Sequence, residues 1–449
     1  MSDLNSPSIW PDPDALGPMT DLYQLTMMAG YEASGLGEAR ATFELFVRRL
    51  PKGRSFLVFA GLEQALSDLL RLAFSRQQAE TLRLWPVFRN VDPAWFDRLP
   101  DLRFRGDVWS VPEGTVVFAG EPIVRVSARL PEAQWVETYL LSALGYPTLV
   151  ASKAARIVFA AQGRDLLEFG ARRGHGPLSG LMCARAAYLA GFDATSHVEA
   201  ALRFGIPAAG TMAHSWVQAF DHEAAAFDAF SKVYAGSTLL VDTYDTLEGV
   251  RRAAAVEPPV GAIRLDSGDM LALSKAARAI LDAAGRRETQ IVASGDLDEF
   301  AIQGLIAAGA PIDSFGVGTE LVTSRDAPAL AMVYKLVELD GVGRIKLSPG
   351  KKTYPRTKQV FRVSDTLGRF AVDRVTRWDE VSEGTPLLRP VVREGRLVEA
   401  RRSLDEVRSY TRNQLAALPD ALRDLDAESS YPLTYSDLLE DEAQRLGVR

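Results

Sequence analysis

The chain has 449 residues, 47% apolar and 24% charged, with a formal net charge of -7. That length accommodates two or three domains around a large core, and the negative balance argues against general affinity for nucleic acid. The single cysteine, Cys183, rules out an internal disulfide and a cysteine-based zinc site, and its neighbours Leu181, Met182 and Ala184 predict a buried structural thiol. From Met1 to Pro18 the chain is polar, without the basic start of a signal peptide. No apolar run approaches the ~18 residues of a membrane span. A cytoplasmic protein with no membrane partner is expected.

From Met19 to about Leu72 helix and strand patterns mix, and Ala41-Thr-Phe-Glu-Leu-Phe-Val47 alternates as a strand does. Asp107 to Val126 reads as short strands with turns, similar to the small β-domain of swivelling carrier modules but without a lysine in a turn. A helix predicted from about Pro131 to Leu144 breaks at Gly145-Tyr-Pro147, and a second runs through Ala161. Short apolar runs then alternate with helical stretches: Leu166–Phe169, Leu189–Phe192, Pro207–Gly210, Leu239–Asp242, Ala262–Asp266, Ile291–Ser294 and Ser314–Val317. Helical patterns cover roughly 246–256, 271–284 and 298–309. The repeat of about 25 residues is that of one β/α unit of a barrel or parallel sheet. After about Asp340 the rhythm stops: a basic, turn-rich segment, short strands (Gly368–Asp373, Leu387–Val392) and an acidic helical tail follow. The expected organisation is an N-terminal α+β region (1–150), an α/β barrel (151–340) and a C-terminal region (341–449) that packs with the first as one discontinuous, β-rich domain.

Polar groups gather at the end of these units: Glu168 with Arg172, Asp193, His214, Asp242, Asp266, Asp296, and Gly316 with Gly318 and Thr319. Each alone reads equally well as a helix cap. Their recurrence at one end favours a common rim, because a barrel's catalytic groups collect at the C-terminal strand ends. Of the four histidines, His214 is the one set among small residues, in Gly205-Ile-Pro-Ala-Ala-Gly-Thr-Met-Ala-His-Ser-Trp216. Small neighbours admit a bulky polyanion, and free N–H groups at such a turn suit phosphate oxygens. The bland alternative is a core histidine in a tight turn. His222, beside Asp221 and Glu223, reads as a solvated helix residue and His175 as loop structure. Lys346, Lys351, Lys352 and Lys358 form a basic patch that is either an anion site or a solvated loop.

These motifs resemble one family as a set. Thr20-Asp-Leu-Tyr-Gln-Leu-Thr-Met27 is similar to the N-terminal signature of nicotinate phosphoribosyltransferases. Glu168-Phe-Gly-Ala-Arg-Arg173, Gly210-Thr-Met-Ala-His-Ser215, Leu240-Val-Asp-Thr-Tyr-Asp-Thr246 and Ile263-Arg-Leu-Asp-Ser-Gly-Asp269 resemble its later motifs. Ser294-Gly-Asp296, Gly316-Val-Gly-Thr319 and Lys351-Lys-Thr-Tyr-Pro355 continue the series in family order, over about residues 19–400. His197 stands where the family commonly has asparagine.

The resemblance implies the type II phosphoribosyltransferase fold, an irregular α/β barrel beside a β-rich domain. It also implies condensation of nicotinate with phosphoribosyl pyrophosphate to nicotinate mononucleotide and pyrophosphate, in NAD salvage. ATP hydrolysis would be coupled through a phosphohistidine at His214, with Mg²⁺ as cofactor. By resemblance Asp266 and Asp296 serve the ribose, with Asp242 near metal or pyrophosphate. Arg264 would help clamp the leaving group, and Gly295, Gly316, Gly318 and Thr319 would surround the 5′-phosphate. Phe169 and Tyr23 resemble a stacking pair for the base, Tyr23 coming from the partner subunit of a homodimer whose active site lies at the subunit interface. Arg172 suits the nicotinate carboxylate, and Ser215 belongs to the same substrate-binding set. Three alternatives stay open: nicotinamide phosphoribosyltransferase, a barrel sugar-phosphate aldolase or isomerase using Lys335, and a carrier or scaffold built on 107–126.

Overall fold

The alternating pattern between 165 and 317 folds as a six-stranded, wholly parallel sheet. In the computed structural model, which describes residues 12–348, 353–398, 400–426 and 429–447, the spatial order is Ala194–Thr195, Asp165–Glu168, Ser314–Val317, Gln290–Ala293, Ala262–Leu265 and Thr238–Leu240. Segment 207–211 lies against both edge strands. Thr195 N donates to Pro207 O (3.0 Å) and Ala209 N to Thr195 O (2.9 Å), while the Thr211 hydroxyl bonds Thr238 O. The sheet thus closes as an irregular barrel, with the segment leading to His214 as its seam. Ile263, Leu265, Ile291, Ala293, Phe315 and Val317 are fully buried, as strands covered on both faces require.

Two expectations fail here. Leu189–Phe192 is not a strand: it ends the helix Pro177–Ala190, and the strand is Ala194–Thr195. A short apolar run is compatible with either element, and periodicity alone cannot choose. Likewise Gly145-Tyr-Pro147 breaks nothing. The interruption falls at Val136, between helices Leu130–Trp135 and Glu137–Ala161, and Pro147 lies inside the second. Pro147 cannot donate to Ala143 O. Gly61 packs there instead, where a Cβ would sit 2.7 Å from Ala143 O and 3.0 Å from the Pro147 ring.

The remaining chain builds a seven-stranded antiparallel sheet from distant segments. Arg40–Val47 pairs with Met332–Leu339 on one side and Pro122–Arg129 on the other; Asp107–Ser110 and Arg389–Arg393 extend it. Lys358–Ser364 and Phe370–Arg377 lead a four-stranded sheet. Residues 107–126 are therefore divided between the seven-stranded sheet and a two-stranded one in which Val116–Val117 pairs with Leu57–Val58, and form no free-standing carrier module. Lys335 lies on the antiparallel sheet with Nζ bonded to Tyr334 O (2.9 Å), outside the barrel where an aldolase lysine would have to be. Lys358 leaves the proposed basic patch as well: it is buried against Glu44 (2.8 Å). Lys351 and Lys352 lie outside the described residues.

Candidate active site

Three barrel helices begin with an aspartate cap. Asp245 accepts from Glu248 N, Asp269 from Ala272 N and Asp298 from Ala301 N. These caps stand two or three residues after Asp242, Asp266 and Asp296, so the first aspartate of each pair is spared that task. Asp193 is different. It precedes its strand, accepting from Leu166 N (2.9 Å) and pairing with Arg408 (2.9 Å), and so sits at the opposite end from the rim expected of it.

At the C-terminal strand ends a cavity of about 380 Å³ is lined by Phe169, Arg172, His214, Arg264 and Asp266, together with Ser196 and Thr211. Asp266 is the one acid among its lining residues. Its Oδ1 accepts from Arg264 Nη2 (2.6 Å) and from the Ser294 hydroxyl (2.6 Å). Burial alone would raise its carboxyl; Ser294 and Arg264 outweigh that, with help from nearby His214, and hold it below the usual carboxylate range. Asp242 lies behind it, Oδ2 accepting from Asp266 N (3.0 Å) and Ser267 Oγ (2.7 Å). Asp242 Oδ1 is buried without a hydrogen-bond partner.

Arg264 also donates from Nε to Ser294 Oγ (2.8 Å), and its guanidinium lies 5.4 Å from the centre of the Phe169 ring. The ring is seated on Gly316, where a Cβ would come within 2.5 Å of it. His214 opens the short helix His214–Gln218, with Nδ1 3.1 Å from Thr243 Oγ1.

Arg172 is exposed and makes no ion pair among the described residues. Its suggested partner Glu168 turns inward, accepting from Thr195 Oγ1 (2.6 Å) and Gly170 N, and burial pushes its carboxyl up. Tyr23, Ser215, Asp242, Gly295, Asp296, Gly316, Gly318 and Thr319 do not line the cavity. Tyr23 is 48% exposed on the helix Leu22–Ala33. Ser215 and Asp296 are exposed, Asp296 with φ +48°, and Gly318 precedes the short helix Thr319–Val322. His197 caps the helix Val198–Phe204, Nδ1 accepting from Ala200 N (3.3 Å), and His175 is an exposed loop residue. His222 precedes its helix instead of lying on it. Cys183 is buried as expected, beside Glu168.

Sequence reasoning missed Thr243 and Ser294. Both lie inside quoted motifs, but the contacts that matter cross between strands. No group of three or more His, Cys, Asp or Glu side chains converges as a metal site among the described residues. A larger cavity of about 500 Å³ lies beside the helices Leu62–Leu69 and Pro177–Ala190, where the buried Arg185 is already neutralised by Glu113 and Glu63.

Family models cover the chain in three consecutive parts. Residues 19–145 match the nicotinate phosphoribosyltransferase N-terminal domain, 165–360 the nicotinate phosphoribosyltransferase family, and 381–442 its C-terminal domain. A nicotinate phosphoribosyltransferase of Mycobacterium tuberculosis is 47% identical over 435 residues, covering 95% of this chain and 93% of the relative. The chain belongs to the nicotinate phosphoribosyltransferase family. The Bacillus subtilis member is 38% identical over 96% of both chains. The crystal structure of human nicotinic acid phosphoribosyltransferase superposes with a TM-score of 0.84 at 29% identity, covering 95% of this chain and 99% of that one. The family fold of barrel and strand-rich flanking regions is the one described above.

Proposed function

We propose that this chain transfers the phosphoribosyl group of phosphoribosyl pyrophosphate to nicotinate, and that ATP hydrolysis is coupled to the transfer through transient phosphorylation of His214. Convergence of His214, Asp266, Arg264 and Phe169 on one cavity carries the reading, and the family supports the choice of substrates. Phe169 offers a flat apolar face to the pyridine ring. Arg264, part-buried beside that ring and with Nη1 making no hydrogen bond among the described residues, suits the nicotinate carboxylate better than exposed Arg172. This moves Arg264 away from the leaving-group role inferred by resemblance.

Departure of pyrophosphate leaves positive charge on the ribose, and the ionised Asp266 offsets it as it develops. Mg²⁺ typically binds one or two carboxylates plus substrate phosphates. The unpartnered Asp242 Oδ1 fits such an ion, which would neutralise the leaving pyrophosphate. At His214 one ring nitrogen is engaged by Thr243. The other attacks the γ-phosphorus of ATP: the N–P bond forms, the bridging P–O bond breaks, and its electron pair leaves on ADP. Water later cleaves the phosphoimidazole and releases phosphate.

Met19, Leu22 and Tyr23 are exposed to 51%, 45% and 48%. Their exposure supports a homodimer in which Tyr23 completes the partner's site. No helix among the described residues is long and apolar enough to cross a membrane.

Labelled ATP should yield an acid-labile, base-stable phosphoprotein, and His214→Ala should lose both the label and the ATP stimulation. Full ATP stimulation in that variant would overturn the phosphohistidine. Conversion of nicotinamide in place of nicotinate would overturn the substrate.

A further inference from the structure

Ser294 is 2% exposed and follows the strand Gln290–Ala293. Val292 pairs with Arg264 and Ala293 with Leu265 in parallel register, which brings the next residue, Ser294, beside Asp266. Its hydroxyl has one proton, and that proton goes to Asp266 Oδ1 at 2.6 Å; the oxygen accepts Arg264 Nε at 2.8 Å. Arg264 Nη2 closes the triangle on the same carboxylate oxygen at 2.6 Å. The backbone is pinned too, because Ser294 N donates to Leu265 O (2.8 Å) and Gly295, with φ +97°, passes so close that a Cβ would collide with Asp266 O.

We propose that Ser294 is a positioning residue for the transfer reaction, holding the Asp266 carboxylate and the Arg264 guanidinium at one fixed separation. The ribose-facing charge and the base-facing charge then act on a single substrate pose. The inference rests on the site reading given above. Without the hydroxyl, Arg264 Nε loses its acceptor and the guanidinium is held only through Nη2, while Asp266 Oδ1 loses one of its two donors.

The test compares Ser294→Ala, Ser294→Thr and Asp266→Asn, with rates measured without ATP to remove the phosphorylation step at His214. Ser294→Ala should lower kcat/KM for nicotinate by about 10- to 100-fold, mostly through KM. Ser294→Thr, which keeps the hydroxyl, should restore KM. A loss of kcat with KM unchanged would mean a merely structural serine and would sink the proposal. If Asp266→Asn abolishes transfer while Ser294→Ala behaves as wild type, the positioning role alone falls. If Asp266→Asn keeps full activity, the site reading beneath it falls.

Discussion

Asp266 and Asp269 are three residues apart and chemically identical, yet the fold gives them separate tasks. Asp269 accepts from the first turn of the helix Met270–Ala283, whereas Asp266 faces the cavity. Asp242 and Asp245 divide in the same way. Losing an aspartate cap costs about 1 kcal/mol, so Asp269→Ala should lower stability by that amount in chemical denaturation while kcat stays near wild type. Asp266→Ala should show the reverse. A variant Asp269→Ala that is stable but inactive would contradict the division. The aspartates were legible in the sequence as a row at strand ends, but their roles were not. Cap and rim differ by where the strand stops, to within a residue, and for Asp193 that margin placed the side chain at the wrong end of the barrel.

The helix Glu137–Ala161 ties the barrel to its surroundings through buried charge. Lys153, 2% exposed, lies 2.6 Å from Glu299 and 3.0 Å from Asp326; Arg156 reaches Glu299 at 2.9 Å and Arg54 reaches Asp326 at 3.0 Å. Removing one partner strands the others, so Lys153→Met should destabilise by about 3 kcal/mol at neutral pH. Burial raises the Asp326 carboxyl, but Arg54 and Lys153 more than compensate and leave it depressed. A depressed folded-state pKa contributes stability that is complete above about pH 4 and lost below it. The penalty of Lys153→Met should therefore shrink as pH falls through that range, measurable as convergence of the two denaturation midpoints. A penalty independent of pH would exclude Asp326 from the network. The helices near 246–254, 270–283 and 299–307 were readable from their period. Pro147 misled because the sequence does not show that Gly61, far upstream, fills the place beside the carbonyl it leaves unbonded.

The seven-stranded sheet is not local in sequence. The strand Met332–Leu339, which follows the barrel, pairs with Arg40–Val47 from before it, so the flanking regions and the barrel are held by pairings across some three hundred residues. Such pairings leave no trace in composition or period, so the repeat made the barrel readable while its flanks were readable only through the family motifs. The proposed dimer extends the same logic between chains. Mixing Tyr23→Ala with His214→Ala, each impaired alone, should restore about a quarter of wild-type ATP-stimulated activity, because random exchange gives half heterodimers with one intact site each. No recovery after verified exchange would place Tyr23 outside the partner's site.

The barrel closes through a stave that is barely a strand. Segment 207–211 touches its neighbours by two main-chain bonds and one hydroxyl, where the other staves are laddered. His214 is mounted at the end of that stave. On the proposed mechanism that imidazole receives a phosphate and then gives it up, and a loosely held mount suits such a group. The laddered staves carry Asp266, Arg264 and Ser294, whose spacing the proposed transfer needs fixed; the loosely held one carries the group proposed to change its chemical state.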